Sequence, residues 1–322
     1  MTKEERLQIA YDFIGEGFPT YKVLKFLKIP SSSFYFTPKK NPKAKGIKKS
    51  SHTRRNNGSF VTNYQVIQEI EVLLSKEFVD YGYRKVTHWL RQEKGYIINE
   101  KKVYRLMREH GLLNKKMKHR KTPRLWVSKL VPEPSMDLEY FEIDIKYVYV
   151  AGQQRNALVL TVIDVSSRWV LGQYMDWNIN FKNVKELFDK IFSFYALPKV
   201  IYVRNDNGSQ FIESSVRNYF SKKDVIQEFT KPATPEQNAH IESYHSIMES
   251  VICQKYDFGN IEEAQDVFNR WIKFYNFERI HSGIQYLSPA KYLATKGIEM
   301  EWNQELKNTL DIRPESINLI AK

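Results

Sequence analysis

Three acidic side chains sit in settings that suit metal-assisted chemistry at a phosphodiester. Asp144 lies inside the alternating run Phe141-Glu-Ile-Asp-Ile-Lys-Tyr-Val-Tyr-Val150, and Asp206 inside Arg204-Asn-Asp-Asn-Gly-Ser-Gln-Phe211. Glu242 follows within Thr234-Pro-Glu-Gln-Asn-Ala-His-Ile-Glu-Ser243, with 35 residues between it and Asp206. Carboxylate oxygens are hard ligands for divalent cations. Two such ions can polarise a phosphate, activate a water or a 3′-hydroxyl, and stabilise the leaving oxygen without a covalent enzyme intermediate. Spacing alone is weak support, since 37 acidic residues offer many triples.

The elements that must position these groups can be read from periodicity. Strand-like runs at 141–150, 157–164 and 169–174, joined by short turns, predict an antiparallel meander. A helix with Val184, Leu187, Phe188, Ile191 and Phe192 on one face follows, then a short apolar strand, Val200-Ile-Tyr-Val203, running into Asp206. A helix near Val216–Phe220, a strand at Ile226–Phe229 and a helix with Ile241, Tyr244, Ile247, Met248 and Val251 complete the order. Alternation puts Asp144 on one side of its strand with Glu142 and Lys146, opposite Phe141, Ile143 and Ile145. Asn207-Gly208 predicts a turn that holds Asp206 at the sheet edge, and Glu242 falls on the polar face of its helix. All three carboxylates are thus expected to point out of the core toward one site. The pattern is α/β, and its order is similar to that of RNase H-like domains, with a mixed five-stranded sheet and flanking helices.

The first half of the chain has a different character. Residues 1–130 hold 29 Lys/Arg against 11 Asp/Glu, whereas residues 131–322 hold 21 against 26, so the whole of the formal charge of +13 comes from the N-terminal part. A cationic arm beside a mildly acidic domain suits phosphate binding next to a metal-binding site. Residues 1–37 predict a small helix-turn-helix-like segment, with Thr20 as a helix N-cap. The stretch 38–63 reads as a flexible basic linker needing no fold. Residues 64–113 predict three short helices, the last capped by Asn99 and ended by Gly111, with Lys101, Lys102, Arg105 and Arg108 forming a face for DNA. A basic hinge at 114–134 brings Lys115, Lys116, Lys118 and Arg120, the catalytic core is expected at 135–295, and 296–322 reads as a tail.

A single cysteine, Cys253, excludes an internal disulfide and a multi-cysteine zinc site. No apolar run approaches the roughly 20 residues that span a bilayer. These features predict a cytoplasmic protein with no membrane partner.

Asp-Asn-Gly-Ser-Gln-Phe at 206–211, Asn238-Ala-x-x-Glu242-Ser243, Tyr275-Asn-x-x-Arg279-x-His281 and Tyr286-x-Ser-Pro289 together resemble the DDE transposases of insertion-sequence family three. The likeness is to their second-frame product, whose core is similar to retroviral integrase. Tyr81-Gly-Tyr-Arg84 and Val103-Tyr-Arg-Leu-Met-Arg-Glu-His-Gly-Leu112 resemble that family's helical module, and the likeness spans roughly 62–292. The resemblance implies that Asp144, Asp206 and Glu242 are catalytic metal ligands for two Mg2+ ions, with Mn2+ as substitute. It implies that Asn238 orients Glu242 or contacts DNA, that Arg84 belongs to the DNA-binding set, and that Arg279 and His281 have a DNA or a structural role. The expected activity is DNA strand cleavage and strand transfer at the ends of an insertion sequence. The expected partners are double-stranded DNA, further copies of the chain in a homo-oligomer, and a first-frame fusion partner made by frameshifting. Two positions depart from the pattern. Gln237 stands where an acidic residue is usual, and Glu249 where Lys is frequent, which moves any DNA contact there to Lys255 or elsewhere. A related integrase or nuclease, and a non-catalytic DNA-binding regulator or inactive copy, are the alternative readings.

Overall fold

The computed structural model describes residues 1–35, 50–114, 134–206, 208–231 and 235–301. Two compact units divide the chain at Ser50. In the first, α1 (Lys3–Gly15) begins with a reciprocal capping box between Thr2 and Glu5. It is followed by α2 (Thr20–Phe26) and α3 (Ser31–Phe34). Ala10, Val23, Leu24 and Ile29 form a small shared core. Thr20 is not the N-cap expected of it: Pro19 holds that position, with φ −60° and no side-chain cap bond.

The second unit starts with structure where a linker was expected. Strand β1 (His52–Arg55) pairs antiparallel with β2 (Phe60–Thr62) across a turn at Asn57-Gly58, where Gly58 has φ +86°. Thr53 and Val61 point inward as a facing pair, and Arg55 donates to Glu69 and to the Tyr96 hydroxyl at 2.9 and 2.8 Å. These inward contacts are the physical reason that 52–62 folds. The predicted boundary at 63/64 is therefore corrected: the folded module reaches back to the hairpin. Helix α4 (Asn63–Leu74) opens on a Thr62/Gln65 capping box, and α5 (Tyr83–Lys94) ends on left-handed Gly95. Strand β3 (Tyr96–Ile97) adds to β1, and α6 (Glu100–Glu109) starts from the expected Asn99 cap. Lys115, Lys116, Lys118 and Arg120 lie outside the described residues.

The core then follows the predicted order. Strands β4 (Tyr140–Val150), β5 (Arg155–Asp164) and β6 (Val170–Asp176) form the meander. Helix α7 (Phe181–Phe194) leads to β7 (Ile201–Asn205), which runs parallel to β4. Short helices α8 (Ser209–Ile212) and α9 (Ser214–Ser221) precede β8 (Val225–Phe229), giving the sheet order β6-β5-β4-β7-β8. Helix α10 (Ala239–Met248) continues into a π-helical turn at Glu249–Cys253. Helices α11 (Ile261–Phe277) and α12 (Pro289–Ala294) follow, and Ile298 and Met300 still pack on the core beyond the predicted start of the tail.

The helical module and the sheet domain share one apolar cluster, in which Phe78 packs against Trp271 and Phe274 at 5.5 and 5.9 Å. Beside it Arg279 forks onto both Asp80 oxygens at 2.7 and 3.0 Å. The Tyr81 hydroxyl accepts from Ile280 N at 3.0 Å and donates to Glu278 O at 3.3 Å. The DNA-contact reading of Arg279 and His281 is corrected here. Arg279 is 1% exposed and clamps the module to the core, and His281 is buried edge-on against Tyr275. Burial and the Arg279 charge hold the His281 imidazole well below its ordinary pKa, so it stays neutral. Burial pushes the neighbouring Lys85 ammonium down to about 8.

Burial alone would raise the Asp80 carboxyl, but the charge and hydrogen bonds of Arg279 outweigh it and hold it below its usual range. A depressed carboxylate contributes stability that is complete above its unfolded pKa, about 3.9, and is lost as pH falls through the lower folded value. Arg279→Ala is expected to destabilise the second unit by about 3 kcal/mol at neutral pH. In denaturant titrations the gap between wild type and Asp80→Asn should shrink as pH falls below about 4. A gap that stays constant with pH would show that the Asp80 charge contributes nothing.

Candidate active site

Strands β4 and β7 lead into two of the three carboxylates. Their parallel ladder pairs Tyr140 with Tyr202, Phe141 with Val203, and Glu142 with Arg204. Asp144 and Asp206 each stand two residues beyond the last pair. Asp206 accepts from Gly208 N at 2.9 Å, and Asn207 of the expected turn lies outside the described residues. Buried Asn205 anchors the strand end: its side-chain NH2 donates to Asp206 O at 2.6 Å, and its carbonyl accepts from Gln227 at 2.9 Å.

Helix α10 lies along β4 and meets it at three successive points. The Glu142 carboxylate accepts from the backbone amides of His240 and Ile241 at 2.9 and 2.8 Å. His245 Nδ1 is 3.4 Å from Asp144 Oδ2, and Lys146 Nζ is 2.8 Å from Glu249 Oε2. Positions 142, 144 and 146 thus match 240/241, 245 and 249, because two residues of strand and four of helix both rise about 6 to 7 Å. The opposite flank of α10 is fixed by Tyr244, whose hydroxyl accepts from Gln173 on β6 and from Trp271, at 3.1 and 3.0 Å. Glu242 stands about 160° around the helix from Tyr244, and is exposed. In the sheet order β6 and β7 lie on opposite sides of β4.

Sequence reasoning missed the two residues that make this arrangement. Glu142 was placed on an outward face with Asp144, yet it is buried, because α10 covers that face. Burial pushes its carboxyl up to about 7, offset in part by the two amides and by Arg168 and Arg204. His245 is buried with its Nε2 unpartnered. A polar side chain at β4 would have been a signal only together with knowledge of which helix covers it. Both departures from the family pattern are accommodated. Buried Gln237 accepts from Lys231 N at 2.6 Å, a bond a neutral amide makes without burying a charge, and Glu249 is the partner of Lys146. Arg204 donates to Glu228 at 2.8 Å and to Gln237 O at 3.0 Å, tying the turn before α10 to β7 and β8. Asn238 is buried at the start of α10 with its carbonyl unpartnered, so it faces the interior and is not at a DNA surface.

In α6, Val103, Leu106 and Met107 are buried while Lys101 and Arg108 are exposed and Lys102 and Arg105 half-buried. Arg84 is exposed on α5, 3.9 Å from Glu100. The donor set at the carboxylate site is all oxygen, which fits Mg2+ or Mn2+ in kind. Among the described residues no three His, Cys, Asp or Glu side chains lie close enough to share an ion. Also among the described residues, no helix is long and apolar enough to cross a membrane.

Residues 134–235 and 223–289 match integrase core domain models, and residues 63–121 match an HTH-like domain. An uncharacterised 31.7 kDa protein of insertion element IS407 from Burkholderia multivorans is 28% identical over 69% of this chain and 79% of its own length. A protein of insertion element IS476 from Xanthomonas euvesicatoria is 29% identical, but over 60% of its own length. The putative transposase InsK of IS150 from Escherichia coli is 25% identical over 87% of this chain and 95% of its own. Half of the chain overlays on the HTLV-2 integrase catalytic core domain solved in complex with magnesium, with TM-score 0.39, 9% identity and 99% of that chain covered.

If Glu142 is the group that seats α10, Glu142→Ala leaves two helix amides buried without an acceptor. It is expected to cost about 2 to 3 kcal/mol, and Glu142→Gln, which keeps a carbonyl in place, about 1 kcal/mol. Urea titration of the two variants measures the difference, and equal stabilities would remove Glu142 from this role.

Proposed function

We infer that this chain, an insertion-sequence transposase with an integrase-like core, cuts DNA at the ends of its element and joins the exposed 3′-hydroxyl to another phosphodiester. It is a polynucleotidyl transferase, and we assign its chemistry to Asp144, Asp206 and Glu242. The observation that supports the assignment is the β4–β7 register, whose last pair, Glu142 with Arg204, lies two residues before Asp144 and Asp206, together with the seating of α10, the helix that carries Glu242, on Glu142.

In this reading Asp144 and Asp206 hold divalent metal from two neighbouring strands, and Glu242 closes the set from the helix. Two Mg2+ ions, replaceable by Mn2+, supply when bound a Lewis acid for the developing charge and a more acidic water or hydroxyl. Glu142 and His245 keep α10 and Asp144 in place, so little reorganisation remains when substrate arrives. The cationic face of α6, with Lys101, Lys102, Arg105 and Arg108, and Arg84 beside it, binds phosphates and places the duplex. Joining two ends requires at least two copies of the chain, and a first-frame fusion partner is a further component that end recognition can require.

Full-length protein, with and without that partner, is incubated with supercoiled plasmid carrying the element ends and Mg2+, Mn2+ or chelator. Asp144→Asn, Asp206→Asn and Glu242→Gln, each checked for folding and DNA binding, are expected to lose nicking and joining by on the order of a thousandfold. Folded variants that retain activity would sink the assignment.

A further inference from the structure

The β1–β2 hairpin lies ahead of the residues that match the HTH-like domain, and its two faces have divided their work. The inner face holds the fold through Thr53, Val61 and the Arg55 bonds to Glu69 and Tyr96. The outer face carries Phe60, Arg54 and Ile97 in one row, since Arg54 is paired with Phe60 on β2 and with Ile97 on β3. Phe60 is 69% and Ile97 57% exposed, and Arg54 is exposed between them. His52 shares this face, and its carbonyl accepts from Lys102 on α6 at 2.6 Å. The outer face therefore runs on into the cations of α6. Residues 17–68 contain no Asp or Glu at all. A cation flanked by exposed apolar groups, in a stretch free of acid, complements a sugar-phosphate backbone: guanidinium on phosphate, apolar side chains against deoxyribose.

We propose that the β1–β2 hairpin is a wing that grips the DNA backbone beside the duplex surface contacted by α6, with Arg54 on a phosphate and Phe60 and Ile97 against the sugars. This rests on the reading of α6 as a DNA-binding helix. Because Arg54 makes none of the inward contacts of its neighbour Arg55, it can be replaced without unfolding the hairpin.

The test is fluorescence anisotropy of the full-length chain on a short labelled duplex of mixed sequence over a series of NaCl concentrations. It compares wild type, Arg54→Ala, Phe60→Ala and, on α6, Lys101→Ala, each with an unchanged thermal melt. Arg54→Ala is expected to weaken binding several-fold and to lower the slope of log affinity against log salt by about one. Phe60→Ala should weaken binding with the slope unchanged. Normal binding by both hairpin variants, with Lys101→Ala impaired, overturns the wing and leaves the α6 reading standing. Normal binding by all three variants overturns both contact assignments, and a wild type that binds no duplex overturns DNA binding by the module and the wing with it. If Arg54→Ala shifts the sedimentation coefficient but not the salt slope, the row is a protein interface and the wing is wrong.

Discussion

A helix that starts against a sheet leaves its first amides without partners, and burying them unmet costs about 1 to 3 kcal/mol each. In this protein the Glu142 carboxylate meets two of them, so α10 can begin at only one height along β4. The rest of the site depends on that constraint. With the start fixed, the matching rise of strand and helix carries His245 to Asp144 and Glu249 to Lys146. Tyr244, held by Gln173 and Trp271, fixes the rotation, and the rotation decides which way Glu242 looks. A slip of one residue along α10 would turn Glu242 by about 100°.

The same economy governs how the helical module meets the core. Arg279 is far from the carboxylates in role, yet its fork onto Asp80 sets the module against α11 alongside the Phe78 contacts. Tyr81 reinforces the join by bonding backbone on both sides of Arg279. A buried guanidinium left without its carboxylate is costly, so the join has little freedom to slide. The cations of α6 therefore stand in a defined relation to the core.

Much of this was legible beforehand, for a physical reason. Strands and helices that bury one face announce themselves by period, which is how β4 to β8, α7 and α10 were found in order. The Asn99 cap and Gly111 turn were legible because capping uses few residue types. What stayed hidden depends on partners distant in sequence. The hairpin at 52–62 lay in a Lys- and Asn-rich stretch, and although Asn57-Gly58 is a turn signal, the contacts that order its strands come from Glu69 and Tyr96. Glu142 read as solvent-facing because alternation tells which side of a strand a residue takes and not what covers that side. Arg279 and His281 read as candidates for DNA because a motif records that a residue matters without recording whether it faces out.

Gln237 and Glu249 show how a site tolerates change at positions that resemble fixed ones. At 237 the surroundings ask for an acceptor to the Lys231 amide, and a neutral carbonyl supplies it in a buried place where a carboxylate would have to be desolvated. At 249 a carboxylate is tolerable because β4 offers Lys146 on the facing rung. A lysine there instead would set two like charges together on facing elements, so the identity of 249 is tied to that of 146. Lys146 stands two residues from Asp144, where its half-buried stem and its partner on the helix hold it in place.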